Sequence, residues 1–365
     1  MKKIGIITIY DIGNLGNRLQ NYAVYHLLGE YGEVKNIIRR YGCEEIKHRN
    51  PLLLKTYHKI KDIAKYFLKH DSYKIYNPRN KNFVSFNKFI SNGETLDMNT
   101  NYKELDKKYD YFIAGSDQVW NPTFGGNGMY INMLSFTSSS KKIALSPSIG
   151  ITSLTDEQTK EFKERLSDFK CLSCREEQGS KMIREITGRE CTTLIDPTLM
   201  LSSEEWDKVS KKPVFHNEND KYILLYFLGE MTKEYKDIIN NISIRYNLKV
   251  IDIYDKNSKY YTCGPSEFIY MIKHCSIMLT DSFHGSVFSY IYNKPFRIFK
   301  RIDSIQSMNS RLENLINVLH LSNDIYINMD TFDIEHVLDE PNYDKTILES
   351  EQKKFKDYLD KAFTE

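Results

Sequence analysis

Two doubly wound α/β domains are what this sequence predicts, on three observations. Short apolar runs alternate with amphipathic stretches from end to end, the pattern of parallel strands covered by helices. The chain has 365 residues, more than one ordinary core organises, and about 100–200 residues per domain points to two. Polar turns, several with glycine, fall directly after the apolar runs, where open parallel sheets place their ligands.

Each element follows from its local pattern. Ile4–Ile9, Val34–Ile38, Tyr111–Ala114, Ile143–Ser146, Cys171–Cys174 and Thr193–Ile195 are short runs with the continuous apolar character of buried strands. Between them, Asn17–Gly29, Asp156–Leu166 and Glu176–Ile186 carry helical spacing. The theme repeats with strands at Tyr222–Phe227, Val250–Ile253, Ile277–Thr280 and Phe296–Phe299. Its helices are Thr232–Arg245, Pro265–His274, Ser286–Tyr292 and Asn309–Leu319. The polar stretch Ser202 to Lys221 marks a boundary, giving a first domain over 1–205 and a second over 206–341. The tyrosine- and lysine-rich segment Tyr41 to Asn101 reads as helical insertions within the first domain. Thr346–Thr364 reads as an amphipathic helix, and 342–365 is expected to return to the first domain.

Composition narrows the function. Net charge is +2 from 51 basic and 49 acidic residues, without the basic excess of a nucleic-acid binder. Six cysteines show no ladder of spacings. Cys171-Leu172-Ser173-Cys174 lies inside an apparent strand with no second pair, so it reads as buried thiols and not as a metal or redox centre. Free thiols fit a reducing cytoplasm. The amino-terminal apolar stretch ends by Asp11 and reads as a strand, not a signal peptide. The run Tyr222–Leu228 is far below the ~20 residues a membrane span needs. A soluble, cytoplasmic protein is expected, with a peripheral role at the inner membrane face left open.

Five polar clusters follow predicted strands. The first is Tyr10-Asp11-Ile12-Gly13-Asn14-Leu15-Gly16-Asn17-Arg18, where glycines admit a ligand to the backbone and Arg18 has the reach for a phosphate or carboxylate. It is not the dinucleotide fingerprint, and no acidic residue closes the second strand, which argues against NAD. A turn and a helix cap explain the same residues. The second is Gly115-Ser116-Asp117-Gln118-Val119-Trp120-Asn121-Pro122, in which Asp117 is equally a turn cap and Trp120 equally a sugar platform or a core residue. Arg175 opens a helix after the third strand end and suits bidentate capture of a carboxylate or phosphate, although a lone arginine is more often a surface salt bridge. Asp196-Pro197-Thr198 reads first as a structural turn.

The fifth cluster is the most informative. Asp281-Ser282-Phe283-His284-Gly285 stands between the run ending at Thr280 and the helical stretch beginning at Ser286. It places a histidine on the first turn of a helix, where open amides and the dipole favour anions. An imidazole there can move protons beside a bound phosphate or carboxylate. A single histidine is usually structural, but Ser282, Gly285 and Ser286 around it suit an anion-binding turn, with Lys294, Lys300 and Arg301 downstream.

Taken in order from Ile4 to Arg311, these clusters resemble the polysaccharide pyruvyl transferase family. The matching residues run through Gly13–Ala23, Gly115–Pro122, Asp196–Leu199 and Asp281–Gly285. The resemblance implies two Rossmann-like domains facing across a cleft, similar to GT-B glycosyltransferases, with the acceptor side first and the donor side second. It implies transfer of pyruvate from phosphoenolpyruvate to a sugar of a surface polysaccharide or its lipid-linked precursor. A ketal forms and phosphate is released, with no cofactor or metal beyond the donor substrate. His284 matches the family's essential histidine, and Arg175 looks like its essential arginine. Lys300 is the choice for a downstream lysine, ahead of Arg301 and Lys294. Asn14, Asn17, Arg18, Ser116, Asp117, Trp120, Ser282, Gly285, Ser286 and Arg301 complete the expected substrate contacts. Many members carry Gly-Asp where this chain has Gly16-Asn17. Two other readings stand beside this one: a GT-B glycosyltransferase with a nucleotide-sugar donor, and an inactive assembly partner of capsule synthesis.

Overall fold

Ile4, Ile6 and Ile7 are fully buried in strand β1 (Lys2–Ile7), the centre of a parallel sheet in the first unit. Described in this computed structural model are residues 1–10, 13–39, 70–97, 100–125, 128–302, 308–328 and 332–364. The chain leaves β1 through helix α1 (Leu15–Leu28) for β2 (Gly32–Arg39), with Ile4 beside Val34. Helix α2 (His70–Phe86) precedes β3 (Asn92–Leu96), and α3 (Tyr102–Lys108) precedes β4 (Tyr111–Ala114). β5 (Lys142–Ala144) follows, giving the order β3-β2-β1-β4-β5. A bridge from Ile143 to Cys171 continues it towards β6 (Ser173–Cys174), which pairs with β7 (Thr192–Thr193) around helices α4 (Asp156–Leu166) and α5 (Glu177–Thr187).

The winding reverses between β1 and β4, so their carboxyl ends frame the crevice where such sheets hold ligands. Around them Phe112, Phe162, Phe169 and Trp120 form the core.

One expectation is corrected here. Within Tyr41–Asn101, residues 41–69 lie outside the described residues, and the remainder is not helix alone. Its Asn92–Leu96 stretch is an edge strand, pairing Thr95 with Ile38. Asn-Gly-Glu-Thr-Leu has a single strong apolar residue, because an edge strand buries little.

The second unit runs from Thr198 to Lys353, and the first resumes at Lys354. The division thus falls ahead of the polar stretch expected to carry it. Ser202 and Glu205 form a capping box that opens α6 (Ser203–Asp207), and this helix buries Trp206 edge-on to Phe288 with ring centroids 4.8 Å apart. An aromatic ring of that size fixes the segment to the unit that covers it. Strands β8 (Tyr222–Tyr226), β9 (Lys249–Asp252), β10 (Ile277–Thr280) and β11 (Phe296–Ile298) form a second parallel sheet in the order β11-β10-β8-β9. Its helices are α7 (Lys233–Tyr246), α8 (Pro265–His274), α9 (Phe283–Ile291) and α10 (Met308–Val318). Here the reversal lies between β8 and β10.

The last helix, α11 (Lys345–Thr364), contributes its carboxyl half to the first unit. Tyr358 donates to the Ala144 carbonyl at 2.5 Å, and Phe363 stacks on Tyr31 at 4.7 Å. No helix among the described residues is long and apolar enough to cross a membrane.

His216 in the second unit is 5% exposed, boxed edge-on by Tyr222, Tyr260 and Tyr270, with Nδ1 3.1 Å from the Tyr260 hydroxyl. Burial lowers its pKa from the usual 6.5, so the folded state prefers the neutral ring. The unfolded chain takes up the proton first as pH falls, so stability present above 6.5 is lost on acidification through that value. The thermal midpoint should therefore drop between about pH 8 and about pH 5, with a shallower slope in His216→Gln. Parallel slopes would show that this ring does not contribute.

Candidate functional site

The strand ends of the first unit are tied by one buried polar network. Asn14 caps α1 by accepting the Asn17 amide at 3.2 Å, which directs the Asn17 side chain to the reversal point. There Asn17 Nδ2 donates to Asp117 Oδ2, and Thr8 Oγ1 donates to the Ser116 carbonyl at 2.9 Å. Asp117 is held at φ 67°, a left-handed backbone that a non-glycine residue keeps only when its surroundings impose it. Its own side chain contributes by accepting the Gln118 amide at 2.9 Å.

Arg175, 2% exposed, sits at the centre. Its Nη2 donates to Ser116 Oγ at 2.7 Å and lies 2.8 Å from Asp196 Oδ2, while Nη1 is 3.7 Å from Asp117 Oδ1. Burial works against the charge, but Asp196, Asp117 and Glu176 outweigh it and raise the pKa above its ordinary value. The turn residue Asp196 is thus a partner of the guanidinium. Asn17 also gains a meaning. An aspartate at 17 would set two carboxylates face to face, whereas the amide donates to Asp117 without competing for its charge.

Two expected contacts are corrected. Arg18 is fully buried: Nη1 donates to Asn21 Oδ1 at 3.1 Å, Nη2 to Asn87 Oδ1, and the guanidinium lies 4.5 Å from the Tyr10 ring centre. It braces the loop from behind. Trp120 has no exposed face; its indole donates to the Asn132 carbonyl at 3.2 Å and its ring meets Phe169 edge-on. Arg79 and Asn87, absent from any sequence motif, pin the same loop through the Gly13 carbonyl at 3.2 Å and the Tyr10 hydroxyl at 3.0 Å.

In the second unit the pentad forms the turn from β10 into α9. Ser282 is the N-cap, accepting the Gly285 amide, which makes His284 the second helical residue. A Cβ on Gly285 would come within 2.6 Å of Thr280 Oγ1, so only glycine lets the helix start this close to the strand. Ser286 is fully buried and turns its hydroxyl back to the Ser282 carbonyl at 3.1 Å. Gly285 and Ser286 therefore shape the turn instead of facing a ligand. His284 is 6% exposed, with its ring edge-on to Phe283 at 5.3 Å. Arg311 lies over the Phe283 ring at 5.9 Å.

Lys300 and Arg301 follow the carboxyl end of β11; Lys300 is exposed and Arg301 half-buried. Lys294 precedes β11, at the opposite end of that strand, which separates it from the turn of His284. Asn309 grips the main chain of Arg301, accepting its amide at 2.9 Å and donating to its carbonyl at 3.2 Å. Tyr235 donates to the Lys300 carbonyl at 2.8 Å. This asparagine went unnoticed in the sequence because an amide clamp has no characteristic spacing.

Cys174 and Cys191 are buried, and burial pushes the first thiol well above its ordinary pKa and the second up to about 12. Protonated thiols of this kind are poor nucleophiles and ligands. Among the described residues no group of three or more His, Cys, Asp or Glu side chains is placed to hold a metal.

Two Rossmann-like units, each with polar side chains gathered at its winding reversal, place the chain in the GT-B-like class of α/β folds. The chain belongs to the polysaccharide pyruvyl transferase family, whose profile matches residues 14–303, and it is accordingly a transferase. Among curated proteins none matches the sequence. Solved structures with a similar fold include UDP-GlcNAc 2-epimerase from Methanocaldococcus jannaschii, with TM-score 0.55, 13% identity, and coverage of 98% of this chain and 99% of that one. The complex of that enzyme with UDP-GlcNAc and UDP gives TM-score 0.52 at 13% identity, with the same 98% and 99% coverage. At such identity the likeness concerns the fold alone.

Proposed function

We propose that this protein transfers pyruvate from phosphoenolpyruvate to a sugar of a bacterial surface polysaccharide or its lipid-linked precursor. The observation that carries the reading is His284, held by a serine cap and an obligatory glycine at the start of α9, within a family of pyruvyl transferases. Phosphoenolpyruvate brings a phosphate and a carboxylate. In this reading Lys300, Arg301 and the helix start at Ser282 meet these anions.

The chemistry then needs one proton moved to carbon. A sugar hydroxyl adds to the carbon bearing the phosphate as the methylene carbon takes a proton. Phosphate leaves, and a second hydroxyl of the same sugar closes the ketal; of the two hydroxyl protons, one is replaced on carbon and the other leaves with phosphate. His284 is assigned as the acid that protonates the methylene, or as the base that takes the hydroxyl proton. Arg175 is assigned to the acceptor side, where it holds Asp117 and Asp196 in register.

The test is phosphate release from phosphoenolpyruvate with a panel of galactosides, mannosides and N-acetylhexosamines. Release that depends on one acceptor supports the reading. Thermal stabilisation by a nucleotide sugar, with none from phosphoenolpyruvate and no phosphate release, would replace it with the glycosyltransferase reading.

A further inference from the structure

At the winding reversal of the second unit, the turn after β8 meets the turn after β10 through one carboxylate. Asp281 Oδ1 accepts the Leu228 amide and Oδ2 accepts the Gly229 amide, both at 2.7 Å. The side chain is buried, with its residue 3% exposed. Gly229 is fitted to it: a Cβ there would lie 2.9 Å from Asp281 Oδ2 and 2.9 Å from Arg301 Cγ. The neighbouring Glu230 amide donates to the Ile302 carbonyl at 3.1 Å, so the loop carrying Arg301 is joined to the same turn. Burial raises the pKa of Asp281, while the two amides and Arg301 act in the opposite sense, towards the charged form.

Paired backbone amides beside a glycine, at the carboxyl end of a strand next to a winding reversal, are where doubly wound sheets hold ligand phosphates. In this chain the pair is already filled. We propose that Asp281 is a specificity-determining residue, an internal anion that closes the Leu228–Gly229 amide pair to phosphate and confines this unit to donors with a single phosphoryl group. The carboxylate oxygens stand where phosphate oxygens would bond, and their charge repels a second anion. This deepens the phosphoenolpyruvate reading and rests on it only for the identity of the donor.

The experiment measures inorganic pyrophosphate binding by calorimetry for the full chain and for Asp281→Ser and Asp281→Asn. The serine variant empties the amide pair and should bind pyrophosphate about tenfold or more tightly than the wild type. The asparagine variant, which keeps one acceptor without charge, should fall between them. Arg301→Ala in the serine background should remove the gain. In the wild type, the amide resonances of Leu228 and Gly229 should stay fixed as pyrophosphate is added. Equal affinity in the wild type and a cooperatively unfolding variant, or movement of those two resonances in the wild type, would overturn the assignment; the second readout stands even if both variants misfold. Because pyrophosphate binding does not require turnover, absence of phosphoenolpyruvate turnover would sink the donor reading and leave this result standing.

Discussion

His284→Ala should lower phosphoenolpyruvate turnover by about 10²–10⁴-fold, the contribution of one positioned acid or base. The helix start should survive, because its cap is Ser282 and its close approach to β10 is made by Gly285. Alanine is also the best helix former, so the cost to stability should be about 1–2 kcal/mol, from the ring packed against Phe283. His284→Gln separates proton transfer from shape: it fills much of the same space and should be nearly as inactive. Phosphate release and circular dichroism melting on the same samples decide the matter. Turnover within about twofold of the wild type, in a folded His284→Ala protein, would take the imidazole out of the chemistry.

Arg175→Met should be the most destabilising substitution in the polar network. It leaves Asp196 and Asp117 buried without their cation, and breaking a buried pair in this way costs about 3–5 kcal/mol. Adding Asp196→Asn removes one of the stranded charges and should recover a substantial part of that loss. The chain offers a direct probe, since it has two tryptophans, Trp120 in the first unit and Trp206 in the second. With Trp206→Phe as background, urea unfolding followed by fluorescence reports the first unit alone. A loss below about 1 kcal/mol would mean that solvent or rearrangement stabilises the two carboxylates and that Arg175 does not organise the site.

Much of this architecture is legible before any coordinates. Phe112–Ala114 and Ile277–Leu279 are buried on both faces, so these strands read as continuous apolar runs. Asp156–Leu166 is legible from its helical spacing, and the Thr155–Gln158 capping box fixes where it starts. The helical stretch expected from Ser286 begins at Phe283, so the histidine expected on a first helical turn lies there, and Phe283-His284-Gly285 belongs to the helix itself. β3 is obscure for the opposite reason: an edge strand with one covered face needs few apolar residues.

The polar residues are less transparent still. Arg18 and Arg175 both follow strand ends and both are buried, yet one braces a loop and the other joins two carboxylates. Only the fold says which side chains lie beside each guanidinium. In the sequence Asp281 belongs to a histidine motif, whereas its partners are amides more than fifty residues earlier in the chain.

The helix that ends the described chain carries a consequence for biosynthesis. Tyr358 bonds to Ala144 across 214 positions, and Phe363 covers Tyr31. A ribosome must therefore deliver all of Thr198–Lys353 before the sheet begun at Lys2 can receive its last cover. Until α11 emerges, the nascent polypeptide holds an uncapped seam beside β5.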